Sequence, residues 1–138
     1  METTISVYIS DLSRFEYDGL IVGKWFTLPV SESDVFNQLE MNADDSYEIE
    51  DWESPFRFYG RESLDELNQL AILIENAGNN QALFYLDELV EKGMISTIPE
   101  GLEKLTEGKI QHFSETPLNN FLGIVYQMAD GSFIGIKR

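Results

Sequence analysis

The chain has 138 residues, of which 43% are hydrophobic and 12% aromatic, and its formal net charge is −16. This length and composition are typical of a folded protein with one domain or two small ones. The charge argues against direct binding to nucleic acid or to an anionic membrane, and it favours a partner with a basic groove. The absence of cysteine excludes disulfides and thiol chemistry. With no long apolar run, the sequence predicts a soluble cytoplasmic protein.

The negative charge is concentrated in the first half of the chain. Residues 1–69 contain 16 acids and four bases, a net charge of −12, whereas residues 70–138 contain nine acids and five bases, a net charge of −4. Between Lys24 and Arg57 there are nine acids and no base. We therefore expect this segment to form a strongly negative surface.

The N-terminal part of the sequence predicts two strands followed by a short helix. Apolar residues alternate over residues 4–9, and a second β-rich run over residues 19–29 ends in Pro29. Ser31 and Asp34 then have the spacing of a capping box at the start of an amphipathic helix.

The acidic segment predicts a third strand with two different faces. In the stretch "SYEIEDW", Tyr47 and Ile49 alternate with Glu48 and Glu50. Because successive side chains of a strand point to opposite faces, one face of this strand should be apolar and the other acidic.

The second half predicts helices and a hairpin. We expect Ser63 to cap a long helix that ends near Gly78, a second helix over residues 81–92, and a short third one over residues 98–108. Asp130-Gly131 lies between two apolar runs, which indicates a β-hairpin. The predicted fold class is α+β: a small antiparallel sheet with a short helix in domain 1–60, and a helical middle region with a C-terminal β-hairpin in domain 61–138.

Catalytic and nucleotide-binding motifs are not found in the sequence. His112 is the only histidine, no serine lies in a Gly-x-Ser-x-Gly elbow, and no glycine-rich phosphate loop precedes a lysine. We therefore predict that the protein is not an enzyme and uses no cofactor.

A calcium-binding module is an alternative of a different class. Asn42, Asp44, Ser46 and Glu53 have the spacing of EF-hand ligands. However, Tyr47 occupies the position at which that loop needs glycine for its sharp turn.

The amount of charge suggests imitation of DNA. A compact chain of this length would be about 37 Å across. Duplex DNA carries about one charge per 1.7 Å of axis, or about 22 over that distance. A net charge of −16 approaches that density, so an acidic protein of this kind would compete with DNA for a basic groove without offering bases to be read.

Three stretches resemble the ArdA-type antirestriction proteins, DNA mimics of mobile elements that inhibit type I restriction-modification enzymes. They are "VYISDLSRFEYDGLIVGKWFTLP" (Val7–Pro29), "YEIEDWESPF" (Tyr47–Phe56) and "SLDELNQL" (Ser63–Leu70). The resemblance implies an N-terminal α/β domain followed by a helical domain. It also implies that carboxylates displayed like DNA phosphates bind the DNA groove of the target.

The resemblance identifies four phosphate mimics on the acidic strand, Glu48, Glu50, Asp51 and Glu53. Charge and expected exposure add five further candidates, which are Glu32, Asp34, Glu40, Asp44 and Asp45. We expect the nearby aromatic residues to form the core instead; they are Tyr8, Trp25, Phe26, Trp52 and Phe56.

The second half resembles the family less than the first. Only "GMISTIPEGLEKL" (Gly93–Leu105) is similar, and an expected acidic, Tyr-rich stretch is missing. Family members form dimers through C-terminal regions, so the resemblance also implies a homodimer. The same scaffold directed against another phage-defence nuclease, such as a CRISPR effector with a basic channel, is the alternative target.

Overall fold

The structure, a computed structural model, describes residues 3–78, 80–117 and 121–137. The chain divides into two compact units, residues 1–72 and 73–138. The division falls inside a helix, and the domain boundary predicted near residue 60 stays a prediction. Helices and two small antiparallel sheets confirm the predicted α+β class.

The first unit is built around a three-stranded sheet. Its elements are β1 (Ser6–Asp11), α1 (Leu12–Asp18), β2 (Gly23–Thr27), α2 (Glu32–Gln38), β3 (Tyr47–Glu53) and the first part of α3 (Leu64–Ala77). β1 lies in the centre and pairs antiparallel with both β2 and β3. Val7 and Ile9 on the inner face of β1, and Ile5 just before the strand, are completely buried. Apolar residues from the other elements complete this core: Phe26, Leu28, Val35, Leu39, Phe56, Leu64 and Leu67.

A β-bulge in β3 sets the orientation of the acidic side chains. Ile49 pairs with Ile9 and Asp51 pairs with Tyr8, so Glu50 is an extra residue between two paired positions. Regular alternation would turn Trp52 to the side of Glu48 and would turn Asp51 inward. Because a bulge shifts the register by one residue, Glu50 and Asp51 are both exposed while Trp52 stays half-buried.

The second strand begins later than the sequence predicts. The prediction places its start at Gly19, but helix α1 occupies the preceding residues and ends at that glycine. The side chain of Asp11 caps α1 by accepting a hydrogen bond from the Arg14 amide at 2.9 Å. Gly19 ends the helix with a φ of 74°, a left-handed conformation that favours glycine. β2 therefore begins only at Gly23, and Leu20 and Ile21 precede it as exposed residues.

The second unit combines helices with another antiparallel sheet. Its elements are a 3₁₀ helix (Gln81–Tyr85), α4 (Leu86–Glu91), α5 (Ile98–Thr106), β4 (Ile110–Phe113), β5 (Gly123–Gln127) and β6 (Phe133–Lys137). The sheet order is β4-β6-β5. The predicted hairpin of β5 and β6 is confirmed, whereas β4 was not predicted and the predicted helix 81–92 is divided into a 3₁₀ and an α segment. Within the described ranges, no helix has the length and apolarity needed to cross a membrane.

The turn between β5 and β6 is fixed by side chains of the second unit. The Tyr85 hydroxyl donates a hydrogen bond to the Asp130 carboxylate at 2.6 Å, and the Ser132 amide and hydroxyl donate to the same group. These hydrogen bonds, those from Ser132 first and Tyr85 next, lower the pKa of Asp130 from 3.8 to about 2. The Tyr85 ring also stacks on His112, with ring centroids 4.8 Å apart.

Replacement Tyr85→Phe should raise the pKa of Asp130 toward its ordinary value, because it removes a donor to the ionised form. A lowered pKa stabilises the folded state at pH values above 3.8, and that contribution is lost as the pH falls toward 2. The variant should therefore lose less stability than the parent protein across this range. An NMR titration of the Asp130 carboxyl carbon measures the pKa, and an unchanged value would contradict the assigned hydrogen bond.

Deletion of Glu50 should be tolerated, because it removes the bulge and leaves a regular strand with Ile49 and Trp52 inward. We expect the free energy of unfolding to change by less than about 1 kcal/mol. Deletion of Ile49 is the matched control: it places the Glu50 carboxylate opposite Ile9 and should cost at least about 2 kcal/mol. Denaturant unfolding measures both, and equal losses would show that the bulge does not set the register.

Candidate functional site: an acidic face on the first unit

The outer face of β3 displays four exposed carboxylates. Glu48, Asp51 and Glu53 lie opposite outward-facing residues of β1, and Glu50 adds a fourth at the bulge. From Glu48 to Glu53 the paired positions span about 14 Å at the usual rise of a strand. One strand of duplex DNA carries about four phosphates over this length of axis. The row therefore has the linear charge density of one DNA strand.

A hydrogen bond joins α2 to the beginning of this row. The Tyr47 hydroxyl donates to the Glu32 carboxylate at 2.9 Å, and the Tyr47 ring packs edge-on against Phe36 of the same helix. Partial burial, and next the hydrogen bond to Glu32, raise the pKa of Tyr47 to about 12. The hydrogen bond from Tyr47 holds Glu32 beside β3.

Asp34 and Glu40 lie at the two ends of α2. Asp34 is exposed in the first turn, where its negative charge stabilises the helix N-terminus, and its amide donates to the Ser31 hydroxyl, as the predicted cap requires. Glu40 follows the helix with a φ of 55°, a left-handed conformation that is strained for a residue with a side chain.

Asp44 and Asp45 lie in the loop before β3. Asp44 is exposed, whereas Asp45 is half-buried and its carboxylate accepts a hydrogen bond from the Asn42 amide at 2.8 Å. Asp45 therefore closes the loop with one of its oxygens. The other eight candidates are exposed.

The calcium alternative does not fit this geometry. Residues 47–53 form an extended strand, so the Glu53 side chain is carried away from the loop that holds Asn42, Asp44 and Ser46. An EF-hand loop must instead curve so that its last glutamate returns to the ion. Among the residues that the structure describes, no group of three or more acidic or histidine side chains could hold a metal.

Part of the predicted aromatic core is on the surface instead. Phe26 and Phe56 are buried as predicted, but Trp25 is 47% exposed. It lies on the outer face opposite Tyr8, and their rings meet edge to face with centroids 5.7 Å apart. The prediction was wrong for Trp25 and Tyr8, because β2 presents Phe26 to the core and β1 presents Val7 and Ile9, the neighbours of Tyr8.

Exposed apolar residues accompany the acids on the first unit. Five large ones come from α1, the connection to β2 and β2 itself: Phe15, Tyr17, Leu20, Ile21 and Trp25. The sequence did not predict this exposed group, because its β-rich pattern over residues 19–29 favours a strand in part of the segment. The cap at Asp11 and the glycine at position 19 are the signals that could have revealed the helix.

A comparison with protein families identifies the chain. Residues 7–129 match the family model described as "Antirestriction protein (ArdA)", which covers most of the sequence. The chain belongs to the ArdA family of antirestriction proteins. The match continues past the first half, in which the resemblance was recognised, and includes β4 and β5. No individual curated protein matches the sequence.

Membership of the ArdA family gives the general role of the chain. ArdA proteins are inhibitors and not enzymes, and the family indicates an interaction with restriction enzymes.

Replacement Glu40→Gly distinguishes the effect of a negative charge on inhibition from the effect of the residue on stability. Glycine adopts a positive φ without strain, so the free energy of unfolding should stay within about 1 kcal/mol of the parent value or rise. The same change removes one negative charge and should weaken inhibition of the target by a factor of about two to five at low salt. Thermal unfolding and a DNA-cleavage inhibition assay measure the two effects. Unchanged inhibition would show that Glu40 does not contribute to binding of the target.

Proposed function

We propose that the protein inhibits a type I restriction-modification enzyme by occupying its DNA-binding groove with the acidic face. The observation that carries this proposal is the row of exposed carboxylates on β3, whose linear charge density equals that of one DNA strand. The proposed contact residues are Glu32, Asp34, Glu40, Asp44, Asp45, Glu48, Glu50, Asp51 and Glu53.

The competition is electrostatic. A DNA-binding groove presents lysine and arginine side chains to phosphates, and this attraction is largely independent of base sequence. The segment between Lys24 and Arg57 offers nine acids and no base to such a groove. The protein has no nucleobases for the enzyme to read and no phosphodiester bond for it to cut. It would therefore occupy the enzyme without being cleaved.

The folded frame supports this role because it keeps the charges together before binding. β3 is hydrogen-bonded to the central strand of the sheet, and Tyr47 holds Glu32 beside it. Charges that are already positioned do not lose conformational entropy when the partner binds, so more of the electrostatic attraction appears as affinity.

The proposed target is a type I enzyme, and the proposed assembly is a homodimer. A type I enzyme is proposed because the ArdA family carries the antirestriction role. A CRISPR effector has a basic channel that poses the same electrostatic problem and is the alternative target. A homodimer in the cytoplasm, which the resemblance implies, would present two such faces to the enzyme.

Combined replacement of Glu48→Gln, Glu50→Gln and Asp51→Asn should weaken inhibition by about tenfold or more at physiological salt, because the densest part of the row is neutralised. The fold should be retained or slightly stabilised, since like-charge repulsion along an exposed strand is removed. A DNA-cleavage assay with a purified type I enzyme measures inhibition, and thermal unfolding reports the fold.

The matched control neutralises three exposed acids of other elements, Glu75→Gln, Glu103→Gln and Glu115→Gln. Both triple variants lose three negative charges from the parent value of −16, so their net charges are the same. A larger loss of inhibition in the β3 variant supports the assigned face. Equal losses would mean that net charge alone acts, and they would overturn the assignment.

A further inference from the structure

A small depression lies beside the acidic row on the first unit. Its volume is about 180 Å³, and its lining combines the apolar residues Leu12, Phe15 and Ile21 with the acidic residues Glu48 and Glu50. Ser10 and Asp11 complete the lining. Pockets that hold cofactors or drug-sized ligands usually measure about 300–1,000 Å³, so this one has the size for a single side chain.

The walls come from three segments that backbone hydrogen bonds hold together. The Leu12 amide at the start of α1 donates to the Ser46 carbonyl just before β3, at 2.9 Å. The Asp11 amide donates to the Val22 carbonyl at 2.8 Å, which fixes the connection that carries Ile21. The depression is therefore formed by the fold itself and does not need a ligand to assemble it.

The acidic and apolar residues of the lining together favour a ligand that has both a positive charge and an apolar surface. The two glutamates can accept hydrogen bonds from a positively charged group, and Phe15 and Ile21 add apolar residues to the same lining. A guanidinium is planar, stacks on aromatic faces and is more weakly hydrated than an ammonium. Arg14, a neighbouring arginine of this chain, is already engaged with Asp18 at 2.9 Å.

We propose that this depression is a socket for an arginine side chain of the partner, with the guanidinium between Glu48 and Glu50 and its stem against Phe15 and Ile21. The proposal rests on the proposed function, in which a basic groove covers the acidic face. It adds a contact that DNA does not make, because a phosphate row has no apolar wall. Arginines seated in pockets at the centre of an interface contribute a large share of binding energy.

NMR titration of the full-length protein tests the socket without any target enzyme. The probes are the amides of Nα-acetylarginine and Nα-acetyllysine. The arginine probe should shift the Ile21 methyl, the Phe15 ring and the side-chain resonances of Glu48 and Glu50, and it should bind at least about threefold more tightly than the lysine probe. Equal binding of the two probes, or no shift at Phe15 and Ile21, would overturn the proposal.

Uncharged variants test the socket in the complex. Phe15→Ala and Ile21→Ala change side chains that are 52% and 70% exposed, so the fold should tolerate them. Each should weaken displacement of DNA from a type I enzyme by about tenfold, with the same salt dependence as the parent. The matched controls are Tyr17→Ala and Leu20→Ala, exposed neighbours outside the lining, which should stay within about twofold.

The outcomes distinguish the socket from the proposed function. If the parent displaces DNA in a salt-dependent manner but the Phe15 and Ile21 variants behave like their controls, the socket is overturned and groove occupancy stands. If the parent does not displace DNA from the active enzyme, the proposed function is overturned. The NMR titration with the arginine probe then supports or overturns the socket by itself.

Discussion

The pairing of two residues against one in β3 is the constraint on which the acidic face depends. Glu50 and Asp51 together oppose Tyr8. After this extra residue, odd-numbered and even-numbered positions exchange the faces of the sheet on which they lie. Ile49 and Trp52 consequently both face inward, and Glu48, Asp51 and Glu53 all face outward. Without this shift, a strand that kept Ile49 inward would expose Trp52 and would turn the carboxylates of Asp51 and Glu53 inward at high cost.

The acids outside β3 contribute to the fold as well as to the surface charge. Asp34 stabilises the start of α2, Asp45 closes the following loop, and Glu32 accepts the Tyr47 hydroxyl hydrogen bond. Asp45 and Glu32 each satisfy a hydrogen-bond donor with a carboxylate oxygen, and Asp34 contributes its negative charge at the helix N-terminus. Folding and display of charge therefore use the same carboxylates, and this is how so acidic a segment remains ordered despite its self-repulsion.

The sequence predicted elements that depend on local patterns. The cap at Ser31, the glycine after α3 and the Asp130-Gly131 turn were all recognised because each fixes the backbone within a few residues. The bulge was not predictable in this way, because "EIEDWE" is compatible with two registers and the pairing with β1 decides between them. Likewise, the sequence did not predict the seven-residue α1, which lies between two strands. The exposure of Trp25 depends on which face of β2 packs against the core. The socket could not be predicted, since it needs all three segments in position.

The central claim is that the acidic face competes directly with DNA for one groove. The most direct test is displacement of a labelled duplex from a purified type I restriction-modification enzyme by the full-length protein at 50 mM and 200 mM salt. The account predicts displacement at both concentrations, with an affinity for the enzyme that falls at least about tenfold between them. Failure to displace DNA from an enzyme shown to be active would contradict it. So would an affinity of the protein for the enzyme that does not fall with salt, once the enzyme's affinity for DNA has been measured at each concentration.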